Sequence, residues 1–361
     1  MTAQALAAQP QAHGSFTTGQ LQKRTPYLVL GLTIAAVTAI AGLLSSASGT
    51  AINFAAVAVL AAVTYLAAIT TLSAAVEGRR RALDRLVTGI VTLAFLVAMV
   101  PLVSVTVEVI TLGSNRFDAE FFNSSMRNIS GAGGGALHAM VGTLLITLAA
   151  TVISVPFGLL TAIYLVEYGR GKVAKIITFL VDVMTGIPSI VAGLFAYALF
   201  AIFFGPGVRM GIVGAVALTV LMVPVVVRSS EEMLRLVPNE LREASYALGV
   251  PKWLTILKVV LPTAIAGITT GIVLAIARVI GETAPLLLTA GFTTSMNYNL
   301  FEGRMQSLPV FVYTQYANQG NPASAFIDRA WAAALALILI VMALNLIARL
   351  VAKYFAPQQS R

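Results

Sequence analysis

The sequence predicts an all-α integral membrane protein, a polytopic bundle of transmembrane helices, and three observations carry that prediction. Of its 361 residues 58% are hydrophobic and only 10% are charged, whereas soluble domains carry about 25% charge. Several apolar runs reach the roughly 20 residues that a helix needs to cross a hydrocarbon core about 30 Å thick. The basic residues collect in the breaks between those runs, the pattern of helical membrane proteins. A soluble enzyme is excluded by this balance. The net charge of +9 is explained by where the cations lie and calls for no nucleic-acid partner.

Eight spans follow from the apolar runs and their charged or Gly/Pro-rich breaks: 27–45, 51–76, 87–112, 137–166, 173–204, 210–227, 259–290 and 330–351. The fourth and fifth exceed a straight crossing and contain Pro156 and Pro188, so tilts or kinks are expected there. Positive charge fixes the orientation. With the N-terminus inside, the inner segments hold Lys23 and Arg24, the run Arg79-Arg80-Arg81 with Arg85, then Arg170, Lys172 and Lys175, the stretch from Arg228 to Lys258, and Arg349, Lys353 and Arg361. The outer loops hold fewer: Arg116, Arg127, Arg209, Arg304 and Arg329. Both termini are therefore expected in the cytoplasm. The first span also ends in small residues, Ser45-Ser46-Ala47-Ser48, as a cleaved signal peptide would, but its leader and apolar run are long for one.

The chain reads as four parts: a cytoplasmic tail 1–26, an N-terminal two-helix hairpin with a basic loop 27–86, a transmembrane domain 87–352, and a cytoplasmic tail 353–361. The hairpin is built of small and aliphatic residues and shows no chemistry. Cysteines are absent, and the two histidines, His13 and His138, lack metal-ligand spacing, so no metal site and no cofactor is expected. His138 reads as a helix-end residue.

The inner segment 228–258 has the punctuation of a helix-turn-helix. Pro238-Asn239 starts a helix, Leu241, Ala244 and Leu248 share one face, and Gly249 with Pro251 ends it. A second helix starts at Pro251-Lys252-Trp253 and enters the membrane. A short surface helix held by a tight turn either is an ordinary loop helix or lets a soluble partner push the membrane domain.

Here the residues resemble a known family. Glu243-Ala244-Ser245, Gly249 after three residues, and Val259-Val260-Leu261-Pro262 after nine more are similar to the EAA loop of binding-protein-dependent ABC importer permeases, with Ser245 and Val259 as departures from Ala and Ile. The resemblance implies a type I importer permease (MetI-like) core of six helices behind the extra hairpin, and a coupling helix that docks on an ATP-hydrolysing subunit. Glu243, Ala244, Leu248 and Gly249 are its candidate coupling residues. The chain has no G-x-x-x-x-G-K-[ST] loop, so ATP is handled by a partner and the chain is not expected to be an enzyme.

Ionisable residues inside spans point to function, because a central charge costs about 2.5–3.5 kcal/mol to insert. Arg278 and Glu282 are four apart, within reach of an ion pair on one helical face. That pair either staples two helices or offers the guanidinium to an anion, with Glu282 holding it in place. Asp182 either joins the path or bonds within the bundle. Arg278-Val279-Ile280-Gly281-Glu282-Thr283-Ala284-Pro285-Leu286-Leu287-Leu288, Gly186 to Phe195, and Met305 to Val310 resemble permease subunits of phosphate importers, with Ala-Pro after Glu-Thr favouring the A-type subunit over its sister. Coverage is about 88–356, leaving the first two spans outside. The resemblance implies inorganic phosphate as substrate, a homologous permease, two ATP-binding subunits and an extracytoplasmic phosphate-binding protein as partners, and the bacterial cytoplasmic membrane, with its lipid, as location. Pro188 and Pro285 are candidate kink or gating positions. Another oxyanion, sulfate or molybdate, and an ion-coupled carrier using Asp182 or Glu282 stay open as alternatives.

Overall fold

The computed structural model describes residues 19–22, 24–49 and 51–355; His13, Lys23, the Lys353 side chain and Arg361 lie outside them. Among the described residues it is entirely helical. Among the described residues seven helices are long and apolar enough to span a membrane, and a pair bent by 110° makes eight if the pair is taken as one span. The chain divides into two compact units, Met1–Val105 and Thr106–Arg361.

The first unit contains α1 (Thr25–Ser48), α2 (Phe54–Val76) and most of α3 (Arg79–Gly113), with the division falling inside α3. Long runs without charge suit these helices to hydrocarbon, where the backbone must bond within the segment. The Asn53 side chain caps α2 by accepting the Ala56 N–H at 3.1 Å, satisfying a donor left free at a helix start. Between α2 and α3 the buried Glu77 carboxylate collects Arg85 Nε at 2.8 Å, the Ser73 hydroxyl at 2.8 Å and the Leu21 N–H at 3.0 Å. Hydrogen bonding from Arg85 holds its pKa down at about 2, so it stays ionised at any physiological pH. The unit carries an open cavity of about 780 Å³ lined by Leu66 and Ile69 and by Glu77, Arg81 and Arg85.

The second unit holds α4 (Ala119–Asn123), α5 (Leu137–Ile163), α6 (Lys172–Thr185), α7 (Ser189–Phe204), α8 (Gly211–Arg235), α9 (Asn239–Ala247), α10 (Lys252–Thr255), α11 (Leu261–Val279), α12 (Ala284–Thr289), α13 (Leu308–Ala317) and α14 (Ala323–Phe355). α8 is its axis: Leu218, Met222, Val226 and Val227 have no exposed surface. Ile146 and Ala150 of α5, Ala275 and Val279 of α11, and Leu286 of α12 close the core around it. Large apolar side chains elsewhere, such as Leu148, Phe157 and Leu160 of α5 and Ile202 and Phe203 of α7, point outward, the surface a lipid solvent favours.

Two expected spans are built differently. The fifth is two helices, α6 and α7, meeting at 110°; Pro188 lacks an amide hydrogen and biases Ile187 away from helix, so the expected kink becomes a break. Span seven begins at Lys252, passes a π-helical turn over Ile256–Val260, and stops at Val279. Pro156, by contrast, lies inside an uninterrupted α5.

The segment Met305–Val310 is wholly buried and enters α13 pressed against α5. Leu308 N–H donates to Thr143 Oγ1 at 2.7 Å, and Gln306 Oε1 lies 3.3 Å from His138 Nε2. A Cβ at Gly142 would come within 2.0 Å of the Gln306 carbonyl oxygen, backbone that has nowhere to move. Gly142→Ala is therefore expected to cost about 1–3 kcal/mol through overpacking, read as a lowered thermal midpoint of the detergent-solubilised protein. Gly31→Ala, whose Cβ meets nothing within 4 Å, should leave the midpoint unchanged or slightly raised.

Candidate functional site

Two interrupted helices meet in the second unit. At the first interruption Pro188, with φ −58° and ψ 138°, opens α7. At the second, α11 ends at Val279, Glu282 N–H donates to Val279 O at 3.1 Å, and α12 restarts at Ala284 with Pro285 in its first turn. α7 and α12 then pack so closely that a Cβ at Gly193 would lie 2.7 Å from Pro285 Cα. The stretches Gly186–Phe195 and Arg278–Leu288, far apart in sequence, thus form one contact. In a bilayer, non-helical backbone is tolerated where protein or a cavity surrounds it, and paired broken helices are a recurrent way of building a transport site.

Arg278 sits in the last turn of α11, exposed on the surface of the chain, and Glu282 is half-buried beyond the helix end. The expected ion pair does not form: among the described residues no carboxylate lies within the 4.0 Å pairing distance of Arg278. The reason is local, since the turn at Ile280–Gly281 removes Glu282 from the helical face it would share four residues on. Asp182 on α6 does have a partner, Arg228 on α8. Arg228 also reaches Glu231 at 2.8 Å, which holds Arg235 at 2.7 Å, so the four charges form one network between the two helices.

The helix-turn-helix has the expected boundaries. α9 follows Pro238, Gly249 takes φ +75°, and α10 follows Pro251. Gly249 closes the turn in a conformation that costs other residues about 1 kcal/mol or more. Ser245, a departure from the family pattern, is put to use: its hydroxyl lies 2.8 Å from Thr255 Oγ1, a buried bond stapling α9 to α10. Arg242 reaches back to α5's end, donating to Glu167 Oε1 from Nε at 3.0 Å and Nη2 at 2.8 Å, and to the Val237 and Leu234 carbonyls at 2.7 and 3.0 Å. Lys252 Nζ bonds the Glu167 carbonyl and stands 4.8 Å from the Tyr168 ring centre. The outward side carries Leu241, Glu243, Ala244 and Leu248, all exposed, Leu248 at 83%. α9 is thus held rigidly from behind with its candidate coupling residues free in front.

The sequence reading missed Glu167–Arg242 and Arg228–Asp182, as well as Arg329, assigned to an outer loop. Arg329 lies in α14, 1% exposed, donating to the carbonyls of Gly131 and Gly133 at 2.7 and 2.8 Å and to Gln315 Oε1 at 2.9 Å. For Glu167 a signal existed, an acid between an apolar span and a basic turn. Arg329 offered none, because two of its three acceptors are backbone carbonyls nearly 200 residues away.

Residues 154–361 match the family described as binding-protein-dependent transport system inner membrane component. The chain belongs to that family. It is 46% identical over 286 residues to the phosphate transport system permease protein PstA 1 of Mycobacterium tuberculosis strain H37Rv, covering 78% of this chain and 91% of that one. The PstA permease of Yersinia pestis is 37% identical over 277 residues, covering 75% of this chain and 90% of its own length. The crystal structure of a bacterial alginate ABC transporter with its alginate-pentasaccharide-bound periplasmic protein aligns at a TM-score of 0.53 over 73% of this chain and 93% of that one, at 12% identity. That likeness shows the shared permease fold. The chain is a multi-span transport permease, and its relatives are permeases of ABC importers.

The anchor of α9 is directly testable. Arg242 and Glu167 side chains are 12% and 5% exposed, and removing one member of such a buried pair costs about 3–5 kcal/mol. Arg242→Ala is expected to raise amide hydrogen exchange across 237–258 in the purified protein while leaving α8 protected.

Proposed function

We propose that this chain is the permease subunit of an ATP-driven phosphate importer of the bacterial cytoplasmic membrane. It forms the translocation path with a homologous permease, takes its drive from two ATPase subunits through α9, and receives phosphate from an extracytoplasmic binding protein. Both termini and α9 face the cytoplasm in this reading, supported by the Lys and Arg bias of the segments flanking α9. The N-terminal hairpin is assigned no part in transport in this reading.

The observation that carries the reading is Arg278, an exposed guanidinium without a carboxylate partner among the described residues, where α11 stops. An unpaired cation is costly in a membrane domain unless it faces a cavity, a polar partner or an arriving anion. A guanidinium binds an oxyanion through paired, charge-assisted hydrogen bonds. Glu282, half-buried beyond the break, leaves the cation available and adds negative charge that weakens anion retention, which favours passage over trapping. Identity with phosphate permeases over most of the chain supports phosphate among the oxyanions. A proton-coupled carrier working through Asp182 is disfavoured because Asp182 is engaged by Arg228.

Coupling follows from the rigid mounting of α9. ATP-driven closure of the ATPases displaces α9, and the Glu167–Arg242 pair and the Ser245–Thr255 bond pass that movement to α5 and to the helix running from Lys252 to Val279. The broken pair α7 and α12, held at Gly193 and Pro285, is where such movement opens or shuts the path, with Pro188 and Pro285 marking its hinges.

In cells carrying the complete transporter, Arg278→Gln should lower phosphate uptake about 10- to 100-fold, the size of a lost hydrogen bond to a charged group, while complex assembly and ATP hydrolysis persist. Normal uptake would remove Arg278 from the path. Leu248→Asp should leave folding within about 0.5 kcal/mol of the parent, as exposed substitutions do, yet abolish co-purification of the ATPase subunits. Retained co-purification and uptake would take Leu248 out of the coupling surface.

A further inference from the structure

At the opposite end of α8 from α9, backbone bonds lace the start of α8 to α12 and to the loop that follows it: Met210 N–H to Thr289 O at 3.1 Å, Ile212 N–H to Leu300 O at 2.8 Å and, within that loop, Met305 N–H to Ala290 O at 3.1 Å. This lacing brings Arg209 and Arg304 to one place. A Cβ at Gly291 would lie 3.0 Å from Arg209 Cδ and 3.5 Å from Arg304 Cδ, so both side chains run past a residue that has φ +75° and no side chain. Both line a cavity of about 390 Å³ with Leu194, Tyr197, Gly207 and Leu288.

The chemistry of that cavity is one-sided. Among the described residues no carboxylate lies within 4.0 Å of either guanidinium, whereas Arg85, Arg116, Arg228 and Arg242 each reach one. Glu302, two residues from Arg304, accepts instead from Asn299 at 3.5 Å. The Arg304 backbone carbonyl is fixed by Asn297 Nδ2 at 3.0 Å, and its guanidinium carbon stands 5.8 Å from the Phe292 ring centre. Tyr197 Oη accepts the Gly207 N–H at 2.9 Å, which leaves its own proton to be donated into the cavity. Two like charges gathered beside the apolar walls of Leu194 and Leu288 repel one another, and an anion between them reverses the sign of that interaction. Leu194 belongs to α7 and Leu288 to α12, the same two half-helices that meet at Gly193 and Pro285.

We propose that Arg209, Arg304 and Tyr197 form an oxyanion-receiving site at the outer mouth of the permease, where inorganic phosphate is held before it moves between α7 and α12 toward Arg278. The inference rests on the phosphate reading above. Two clustered cations also raise the local concentration of an anion and speed its capture.

The test uses the complete transporter in proteoliposomes, with phosphate-loaded binding protein titrated to saturation and ATP inside. The double variant Arg209→Gln with Arg304→Gln should lower uptake at saturating binding protein about 10- to 100-fold, leave the half-saturating concentration of binding protein unchanged, and keep binding-protein-stimulated ATP hydrolysis. Arg209→Lys with Arg304→Lys, which keeps the charge, should recover a substantial part of the uptake. Unchanged uptake in the glutamine pair overturns the site. So does a defect cured by excess binding protein, which would make the arginines a docking contact, or a defect that vanishes in liposomes without anionic lipid, which would make a lipid headgroup the occupant. Should the glutamine pair fail to assemble, Arg304→Gln alone, at an exposed position, should still lose about fivefold, and normal uptake there overturns the site equally. Absence of phosphate uptake by the parent transporter would instead sink the functional reading itself, and Arg278→Gln in parallel separates the two failures.

Discussion

Everything in the transport core depends on one constraint: backbone N–H and C=O groups inside hydrocarbon must be bonded within the protein. Long helices meet it at every position, which is why the spans are helical and their surfaces apolar. The departures at Gly186–Pro188 and at Ile280–Thr283 are admissible where protein surrounds them, and the half-helices α7 and α12 that follow them close upon each other through Gly193 and Pro285. A larger residue at 193 would separate the half-helices and open both breaks. The site is therefore built from the two places where the helical rule is relaxed.

Charge follows a matching logic. Cations that serve architecture are bonded: Arg242 by Glu167 and two carbonyls, Arg228 by Asp182 and Glu231, Arg85 by Glu77, and Arg329 in part, by Gly131, Gly133 and Gln315, with its Nη2 unbonded among the described residues. Arg278 is exposed with no carboxylate on it, and Arg209 and Arg304 likewise face a cavity without an acid. Satisfied cations fix helices in place; unsatisfied ones leave their hydrogen-bonding capacity for a mobile anion. In the proposed function this separation gives the permease both a rigid lever and a path that holds its substrate loosely.

The lever is compact. α9 touches the membrane helices through a buried ion pair and a buried hydroxyl pair, interactions with strong directional preference, while its outward face is a mixed surface of Leu241, Glu243, Ala244 and Leu248. Ser245, which departs from the family pattern, does not weaken the element, because its hydroxyl finds Thr255. A small residue is needed there for α9 to lie against α10, and a serine meets that need while adding a bond.

The amino-acid sequence by itself determined the helical class, the apolar spans, and the helix-turn-helix from Pro238 to Lys252, because span length, composition, proline and glycine act locally and leave periodic marks. Segments Gly186–Phe195, Arg278–Leu288 and Met305–Val310 were also legible as belonging together through resemblance, though nothing in them states that the first two touch or that the third packs against Gly142. Only the tertiary structure decided that the fifth span is two helices at 110°, that Arg278 and Glu282 part at the end of α11, and that Glu167, Asp182 and Arg329 find the partners they do. Helix formation is governed by neighbours a few residues away, whereas pairing a charge depends on which distant backbone or side chain arrives within a few ångströms, and that is fixed by packing alone.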